Sequence, residues 1–144
     1  MRTILAVALI ANLTTPVAAE LTTLTGTVTH VRDGDTIEVS KIPIRLNGVS
    51  APELKEPLGQ QSKAFMRALV HSKRIRCELN GEKTYDRYVG VCYFEDQDIG
   101  AAVIEAGLAR DCPRFSGGRY AGVESAAARG AIKLPRYCRA KKTK

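Results

Sequence analysis

Residues 31–37 read Val-Arg-Asp-Gly-Asp-Thr-Ile and constrain the possible folds of this chain more than any other stretch. A glycine between two aspartates permits a tight turn, and apolar residues alternate with polar residues on both sides of it, which is typical of β-strands. Asp-Gly-Asp is also common in surface turns. It does not begin an EF-hand here, because the twelfth position counted from Asp33 is Ile44 rather than a bidentate glutamate. The stretch therefore predicts a carboxylate site on a β scaffold.

Five segments have the alternation of strands, and three have the periodicity of helices. The predicted strands are residues 26–31, 36–40, 44–49, 73–79 and 87–94, and the predicted helices are residues 57–72, 98–107 and 119–131. Asn80-Gly81 is a strong turn signal between the last two strands. We therefore expect an α+β fold, a five-stranded OB-type β-barrel with three packed α-helices, an architecture that frequently presents a face to nucleic acids.

The first 19 residues have the pattern of a secretory signal peptide. A positive charge at Arg2 precedes an apolar run from Ile4 to Leu13, and small residues lead to an expected cleavage after Ala19. The apolar run has about half of the roughly 20 residues that a membrane-spanning helix needs, so we expect no membrane insertion of the mature form. Residues 20–144 are predicted to form one exported domain, monomeric, periplasmic or extracellular, with a short basic C-terminal tail.

The chain is basic, with 22 Lys and Arg residues against 15 Asp and Glu residues and a formal net charge of +7. A basic protein of this size favours a polyanionic partner, such as nucleic acid, an acidic polysaccharide or a membrane surface. The charge therefore limits the class of partner without choosing among these three.

Four cysteines lie in the part of the chain predicted to be mature. An even number of cysteines in an exported chain indicates disulfides, and four cysteines allow three pairings. We favour Cys77 with Cys92, on neighbouring strands of a hairpin, and Cys112 with Cys138, which would tie the last helix back to the loop before it. A zinc site is the weaker alternative, because no Cys-x-x-Cys pair is present and the histidines lie far from such spacing.

Four motifs, taken together and in their order, resemble the staphylococcal nuclease family, also called thermonucleases. They are Asp33-Gly34-Asp35-Thr36, Arg45-Leu46 leading to Ala51-Pro52-Glu53, Tyr85-Asp86-Arg87, and Ala106-Gly107-Leu108-Ala109. The resemblance extends from about residue 28 to residue 109 and so covers most of the predicted mature chain. It implies an OB-type barrel with three helices and a calcium-dependent nuclease that cleaves DNA and RNA phosphodiesters.

The resemblance also implies roles for five side chains. Asp35 would ligate calcium directly, and Asp33 would support the site through water. Glu53 would act as general base on the attacking water, while Arg45 and Arg87 would neutralise the phosphate. These residue types suit those tasks, because calcium prefers oxygen ligands, a carboxylate can take a proton from water, and guanidinium groups can hold two phosphate oxygens at once.

Other positions match the family less closely. Ser50 stands where the family usually has a second calcium-binding aspartate, and Ala51 after it can still offer a carbonyl oxygen. A calcium site with one carboxylate fewer is expected to bind more weakly. Asp86 replaces a glycine common in the family, which could perturb Arg87. Tyr85 resembles a tyrosine that contacts a substrate phosphate, with loop packing as the alternative, and Phe115 is a candidate for stacking on a base.

Two functions of different classes remain open. The first is an exported nuclease that hydrolyses DNA and RNA with a calcium-assisted water activated by Glu53. The second is an OB-fold module that binds nucleic acid or another polyanion with weakened catalysis. Retention of Glu53, Arg45 and Arg87 favours the nuclease, because a pure binding protein has no need of a base at that position, whereas Ser50 favours the binding module.

Overall fold

The computed structural model describes residues 21–140, so the predicted signal peptide and residues 141–144 of the basic tail lie outside the described residues. The strands are β1 (Thr22–Val31), β2 (Thr36–Val39), β3 (Ile42–Leu46), β4 (Val49–Ser50), β5 (Arg74–Thr84), β6 (Arg87–Phe94), β7 (Gln97–Asp98) and β8 (Arg110–Asp111). The helices are α1 (Gly59–Val70), α2 (Ile99–Glu105), α3 (Pro113–Ser116) and α4 (Ala126–Ala131), followed by a 3-10 turn at Arg136–Cys138. No helix within residues 21–140 is both long and apolar enough to cross a membrane.

Five strands close into a barrel in the order β3-β2-β1-β5-β6, because β3 at one edge also pairs with β6. The closing pair is parallel, and the other pairings of the barrel are antiparallel. The short β7 continues the sheet beyond β6, and β4 pairs with β8 in a separate two-stranded sheet. The OB-type barrel predicted from the sequence is confirmed.

The core lies inside the barrel and beneath α1 and α2. Alternate residues of the strands point inward, and each helix contributes the residues of one face. The largest fully buried side chains are Val28, Val31, Ile37, Val39, Ile44, Val49, Met66, Val70, Ile75, Ile99, Val103 and Ile104. Full burial of an aliphatic side chain stabilises the fold by about 1.5–3 kcal/mol relative to exposure, so this core holds the barrel as a firm support for the side chains at its mouth.

Both disulfides favoured from the sequence are present. Cys77 and Cys92 face each other on β5 and β6, and Cys112 at the start of α3 is joined to Cys138 in the 3-10 turn. All four cysteines are buried. The bridges close loops of 15 and 26 residues, and each contributes about 3 to 4 kcal/mol in the loop-entropy model.

The last predicted helix is much shorter than expected. Only Ala126–Ala131 is helical, with the Ser125 hydroxyl accepting a hydrogen bond from the Ala128 N–H as N-cap. Residues 117–123 form turns instead, and Gly117 and Gly118, which adopt positive φ angles, end α3. Val123, Ala126 and Ala127, predicted to face inward, are exposed, and Ala128 is buried instead. Together with the one-turn α3, this gives four α-helices where three were predicted.

The hairpin turn was predicted at the wrong place. Asn80 and Gly81 lie within β5, where Gly81 takes a positive φ at an irregularity between Leu79 and Lys83. The chain reverses instead at Tyr85 and Asp86. The longer hairpin therefore carries the motif Tyr85-Asp86-Arg87 at its tip, beside the mouth of the barrel.

Candidate active site

A cleft of about 1040 Å³ opens at the mouth of the barrel. It is lined by carboxylates and arginines from the β1–β2 turn, β3, the loop after β4, and the β5–β6 hairpin. Phe115 of α3 and residues of the C-terminal segment, residues 132–139, complete the lining. Eight of the residues singled out in the sequence lie in this lining: Asp33, Asp35, Arg45, Ala51, Glu53, Tyr85, Arg87 and Phe115. The barrel therefore brings together in one cavity residues that lie up to 82 positions apart by their numbers.

Asp35 is the buried centre of the cleft, with 6% of its surface exposed. Its Oδ2 accepts a hydrogen bond from the Ala51 N–H at 2.7 Å, and its Oδ1 accepts one from the Thr36 hydroxyl at 3.2 Å and pairs with Arg45. Burial is the main effect on its ionisation and raises the pKa of Asp35 to about 6, with Asp33 also raising it and Arg45 opposing. The carboxylate is thus held by donors on both oxygens.

Arg45 lies on β3 directly opposite Thr36 of β2, which places its guanidinium against Asp35. Its Nη1 also donates to the Asp35 main-chain oxygen at 3.3 Å. Burial works to lower the pKa of Arg45, but the adjacent Asp35 carboxylate outweighs it and raises the pKa. Within residues 21–140, Nε and Nη2 of Arg45 donate to no protein atom, so both remain available to an anion in the cleft.

Arg87 reaches the same centre from β6. Its Nη1 donates to the Thr36 hydroxyl at 3.2 Å and its Nε donates to the Thr84 carbonyl at 3.4 Å. Arg87 forms no ion pair in the described part of the chain. Because Thr36 also donates to Asp35, its hydroxyl links Arg87 to the buried carboxylate and to Arg45 beyond it.

Glu53 differs from Asp35 in being exposed at the rim of the cleft. Its backbone N–H donates to the Glu56 carboxylate at 2.8 Å, which fixes the start of the turn after Pro52. The Glu53 carboxylate itself accepts no hydrogen bond and joins no ion pair between residues 21 and 140. Its oxygens are therefore available to water.

Gly34 allows the Asp33–Asp35 turn to pack against the rest of the protein. Its φ is not positive, so the turn does not require glycine for its backbone conformation, contrary to the expectation from the sequence. A Cβ at Gly34 would instead overlap the hydroxyl of Ser62 on α1 and lie 2.8 Å from the Ala51 Cβ. The turn is tied internally by the Asp35 N–H, which donates to Asp33 Oδ1 at 3.0 Å.

Comparison with known proteins agrees with this arrangement. A family model described as staphylococcal nuclease homologue matches residues 43–127, more than half of the chain. The chain belongs to the staphylococcal nuclease family. The match includes Arg45, Glu53 and Arg87 and ends before the C-terminal segment that also lines the cleft.

Three relatives illustrate the similarity. An uncharacterized endonuclease of Haemophilus influenzae is 31% identical over 94 residues, 62% of this chain and 53% of the relative. An uncharacterized endonuclease of Escherichia coli O157:H7 is 35% identical over 89 residues, 58% of each chain. The succinoglycan biosynthesis protein ExoI of Rhizobium meliloti is 36% identical over 109 residues, 67% of this chain and 57% of the relative. The chain thus spans a little more than half the length of each.

Ser50 and Ala51 occupy the position at which the staphylococcal nuclease family was expected to hold calcium. Ser50 is buried in β4, opposite Arg110 of β8, and is not among the residues that line the cleft. Ala51 lines the cleft, and its N–H is used by Asp35. No cluster of three His, Cys, Asp or Glu residues suited to a metal ion occurs among residues 21–140.

The donors present nevertheless fit calcium in kind. Asp33 and Asp35 place two carboxylates side by side in the cleft, and burial together with Asp33 disfavours the charge on Asp35. An added cation would offset that unfavourable charge. Calcium takes six to eight oxygen ligands, some of which can be water, so this site suits an ion that is held weakly and keeps several waters.

Asp86, which stands next to Arg87 where the family commonly has a glycine, forms an ion pair of its own. Its carboxylate pairs with Arg32 at 2.8 Å, and Arg32 also pairs with Glu38 at 2.8 Å. The hydrogen bond from Arg32 lowers the pKa of Asp86. Arg87 still reaches Thr36, so the acidic side chain does not prevent the contact on which the position of Arg87 depends.

The aromatic candidates lie at the edge of the cleft. Tyr85 is 93% exposed at the tip of the hairpin, with the Arg87 guanidinium 5.8 Å from its ring centre. Phe115 is 46% exposed on α3, and its carbonyl accepts a hydrogen bond from Asn47 at 3.3 Å. Both rings are therefore accessible to a substrate entering the cleft.

Sequence reasoning missed two components of the site. Thr36 was noted only as part of a motif and as the start of a predicted strand, although a hydroxyl residue directly after the Asp33–Asp35 turn was a signal for a linking hydrogen bond. The other component is the C-terminal segment, which contributes Lys133, Arg136, Tyr137 and Arg139 to the lining. Its one signal in the sequence was Cys138, whose disulfide brings the segment to the cleft.

Proposed function

We propose that this protein is an exported nuclease that hydrolyses phosphodiester bonds of DNA and RNA. The observation that carries the proposal is the convergence of Glu53, Arg45 and Arg87 in the lining of one cleft, where the Glu53 carboxylate is unengaged and both guanidinium groups have free donors. Relatives named as endonucleases support the same reaction class.

In the proposed mechanism, Arg45 and Arg87 bind the non-bridging oxygens of the scissile phosphate. Arg45 would donate from Nε and Nη2, and Arg87 from Nη2. Glu53 would orient a water and accept its proton as the oxygen of that water bonds to phosphorus. The bond from phosphorus to the sugar oxygen breaks, and the leaving oxygen takes a proton from solvent. The two guanidinium groups stabilise the charge that builds on the phosphate oxygens, an effect that is strongest in a preorganised site.

Asp35 and Thr36 would act on these arginines as positioning residues. Asp35 holds Arg45 through an ion pair, and Thr36 holds Arg87 through its hydroxyl. Because both contacts are made by residues of the protein itself, they would hold the arginines in place for a phosphate. Such preorganisation lowers the free energy of the transition state more than flexible charges would.

We further propose that calcium assists the reaction. Asp35 and the Ala51 carbonyl would hold the ion and Asp33 would support it through water, while Ser50 adds no charge. Calcium, when bound, supplies positive charge beside the phosphate. Extracellular calcium sites function with dissociation constants of about 10⁻⁴ to 10⁻³ M, a range that suits a site with one carboxylate fewer.

The proposed compartment is the periplasm or the medium, and the proposed state is a monomer. The predicted signal peptide supports export, and two buried disulfides suit an oxidising compartment. Cell fractionation with the natural leader, and size-exclusion chromatography of residues 20–144, would test both points.

A second candidate function is binding of nucleic acid without efficient cleavage. One observation favours it: both oxygens of Asp35 already have protein partners. The negative charge of this carboxylate is therefore offset in part by Arg45 and needs no metal ion for that. The six Lys and Arg residues of the lining, together with the exposed aromatic rings, would still bind a polyanion.

Digestion assays separate the two candidates. Purified residues 20–144 would be incubated with single-stranded DNA and with RNA across a calcium series up to millimolar, with a chelator control. Glu53→Gln removes the proposed base, and Glu95→Gln, on the exposed turn before β7, serves as the matched control. Calcium-dependent cleavage lost only in Glu53→Gln supports the nuclease. Salt-sensitive binding without cleavage at any calcium concentration supports the binding module.

A further inference from the structure

The C-terminal segment, residues 132–139, forms part of the wall of the cleft. It lies beyond the residues matched by the family model, which end at 127. Its residues in the cleft lining are Lys133, Leu134, Pro135, Arg136, Tyr137 and Arg139. The segment therefore extends the cleft beyond the side chains assigned to the scissile phosphate.

Two anchors hold the C-terminal segment in place, and both lie on the short stretch from Arg110 to Cys112. At one end, Arg110 Nη1 donates to the Ile132 carbonyl at 3.2 Å, and Arg110 is itself paired with Glu124 at 2.8 Å. At the other end, Cys138 is joined to Cys112 by the disulfide. The residues between the two anchors are thereby kept against the cleft.

The disulfide is the main link for most of this segment. Within residues 21–140, no hydrogen bond connects residues 133–140 to the rest of the protein. The hydrogen bonds of the turn are internal, from the Cys138 N–H to the Pro135 carbonyl and from the Arg139 N–H to the Arg136 carbonyl. The position of Arg136, Tyr137 and Arg139 thus depends on the Cys112–Cys138 bridge.

The chemistry of the C-terminal segment suits a nucleic acid. Lys133, Arg136 and Arg139 are exposed and form no ion pair in the described chain, and no acidic residue follows Glu124 in the sequence. Three unpaired cations on one wall would bind phosphates, and their charge is not neutralised by neighbours on the same segment.

Aromatic rings are concentrated at the same cleft. Tyr137 is 52% exposed, and it joins Tyr85 and Phe115 as a third exposed ring in the lining. Aromatic rings beside a basic groove are typical of proteins that bind single-stranded nucleic acid, because unpaired bases can stack on the rings.

We propose that the C-terminal segment is a second substrate-binding wall, in which Lys133, Arg136 and Arg139 hold phosphates that flank the scissile one and Tyr137 stacks on an unpaired base. The ligand is a single-stranded polynucleotide, since the bases of a duplex are not free to stack in this way. The inference deepens the proposed nuclease function, on which it rests.

Binding measured in the inactive Glu53→Gln background tests the wall without cleavage. A fluorescent single-stranded oligonucleotide would be titrated at several salt concentrations. Each lost phosphate contact reduces the slope of log affinity against log salt by about 0.7 for single strands, so Arg136→Gln/Arg139→Gln is expected to reduce it by about 1.4. Tyr137→Ala is expected to weaken binding about 10-fold without changing the slope, because stacking carries no charge.

The matched control is Lys63→Gln/Arg67→Gln, which removes the same charge from α1, away from the cleft. This variant is expected to keep a slope close to that of the parent. Equal slopes in the parent and in Arg136→Gln/Arg139→Gln would overturn the proposal, as would equal losses in the wall and control variants, which would reveal only a net-charge effect.

Cleavage of two substrates separates this proposal from the nuclease assignment. A small diester, bis(4-nitrophenyl) phosphate, is too short to occupy both the scissile site and the wall. The ratio of kcat/KM for single-stranded DNA to kcat/KM for the small diester is expected to fall at least 10-fold in the wall variants. If the parent protein cleaves neither substrate, the nuclease assignment fails. The binding measurements then still decide whether the C-terminal segment binds a single-stranded polynucleotide.

The disulfide supplies an independent test. Cys112→Ser/Cys138→Ser is expected to raise the KM for single-stranded DNA about 10-fold and to reduce the salt slope as the arginine variants do. If this variant does not fold, the arginine and tyrosine variants decide the proposal, because their side chains are exposed. A folded variant without the bridge that binds DNA with the parent slope and KM would overturn the proposed role of the bridge.

Discussion

Arg87 and Thr36 are 51 positions apart in the sequence, yet Arg87 Nη1 donates a hydrogen bond to the Thr36 hydroxyl at 3.2 Å. The same hydroxyl donates to Asp35 Oδ1 at 3.2 Å. One buried side chain therefore connects the hairpin that carries Arg87 to the carboxylate that holds Arg45. The position of each arginine depends on a residue that need not touch substrate.

Thr36→Val tests this link with little change in side-chain shape. Losing a hydrogen bond to a charged group costs about 1.5–3 kcal/mol, so we expect kcat/KM for single-stranded DNA to fall about 10- to 100-fold. Thr36→Ser keeps the hydroxyl and is expected to retain most of the activity. Steady-state rates of both variants, with thermal unfolding as a check on the fold, would measure this. Equal activity losses in Val and Ser variants would refute the positioning role.

The buried ion pair of Arg45 and Asp35 predicts that removing the arginine alone destabilises the protein more than replacing both residues. Arg45→Met leaves Asp35 buried without its cation and is expected to lower the free energy of unfolding by about 3 kcal/mol. Adding Asp35→Asn removes the unpaired charge, so the double variant is expected to lose less than Arg45→Met alone. Urea unfolding of Arg45→Met, Asp35→Asn, the double variant and the parent protein, all in chelator, gives the double-mutant cycle.

The control for that cycle is Arg129→Met, because the side chain of Arg129 is 49% exposed in its ion pair with Glu124. Glu124 keeps its other ion pair, with Arg110, when Arg129 is replaced, so no buried charge is left unpaired and the loss is expected to be about 1 kcal/mol or less. If the double variant were less stable than Arg45→Met, the proposed cause, an unpaired buried charge, would be wrong.

Calcium is expected to stabilise the protein measurably. With a dissociation constant of about 1 mM, 10 mM calcium would add about 1.4 kcal/mol to the free energy of unfolding by mass action. Ser50→Asp is expected to lower stability in chelator, because it buries a charge. A larger gain from calcium in this variant would show that a carboxylate at position 50 reaches the ion although Ser50 does not line the cleft. Melting temperatures with calcium and with magnesium, for both proteins, would test this. A melting temperature independent of calcium in both proteins would exclude the proposed site.

Gly34→Ala tests the packing of the Asp33–Asp35 turn against α1. The added Cβ meets Ser62 and Ala51, and overpacking of this kind costs about 1–3 kcal/mol. Gly130→Ala is the matched control, because a Cβ there has no neighbour within 4 Å and Gly130 lies in α4. Alanine is the better helix former by about 1 kcal/mol, so the control is expected to be slightly stabilised. Comparable stability of the two variants in urea would argue against a close contact at Gly34.

Much of the barrel could be predicted because its signals are local. The last predicted strand, residues 87–94, has the same bounds as β6. The other strands of the barrel are present with shifted ends. The helix at 119–131 and the turn at Asn80-Gly81 were wrong, since both depend on distant partners. Tyr120 is buried where the helix was expected to run, and the pairing of β5 with β6 carries the chain past Asn80.

The sequence by itself determined the family and the barrel, because strand alternation and ordered motifs are read directly from the chain. It also favoured the disulfide pairs and most of the cleft residues that the structure has. Only the tertiary structure decided that Thr36 links Arg87 to Asp35, that Gly34 is required by close packing, and that residues 133–137 and 139 line the cleft. These features arise when barrel closure and the Cys112–Cys138 bridge bring distant segments into contact. Such contacts depend on the geometry of the whole chain, which no local pattern contains.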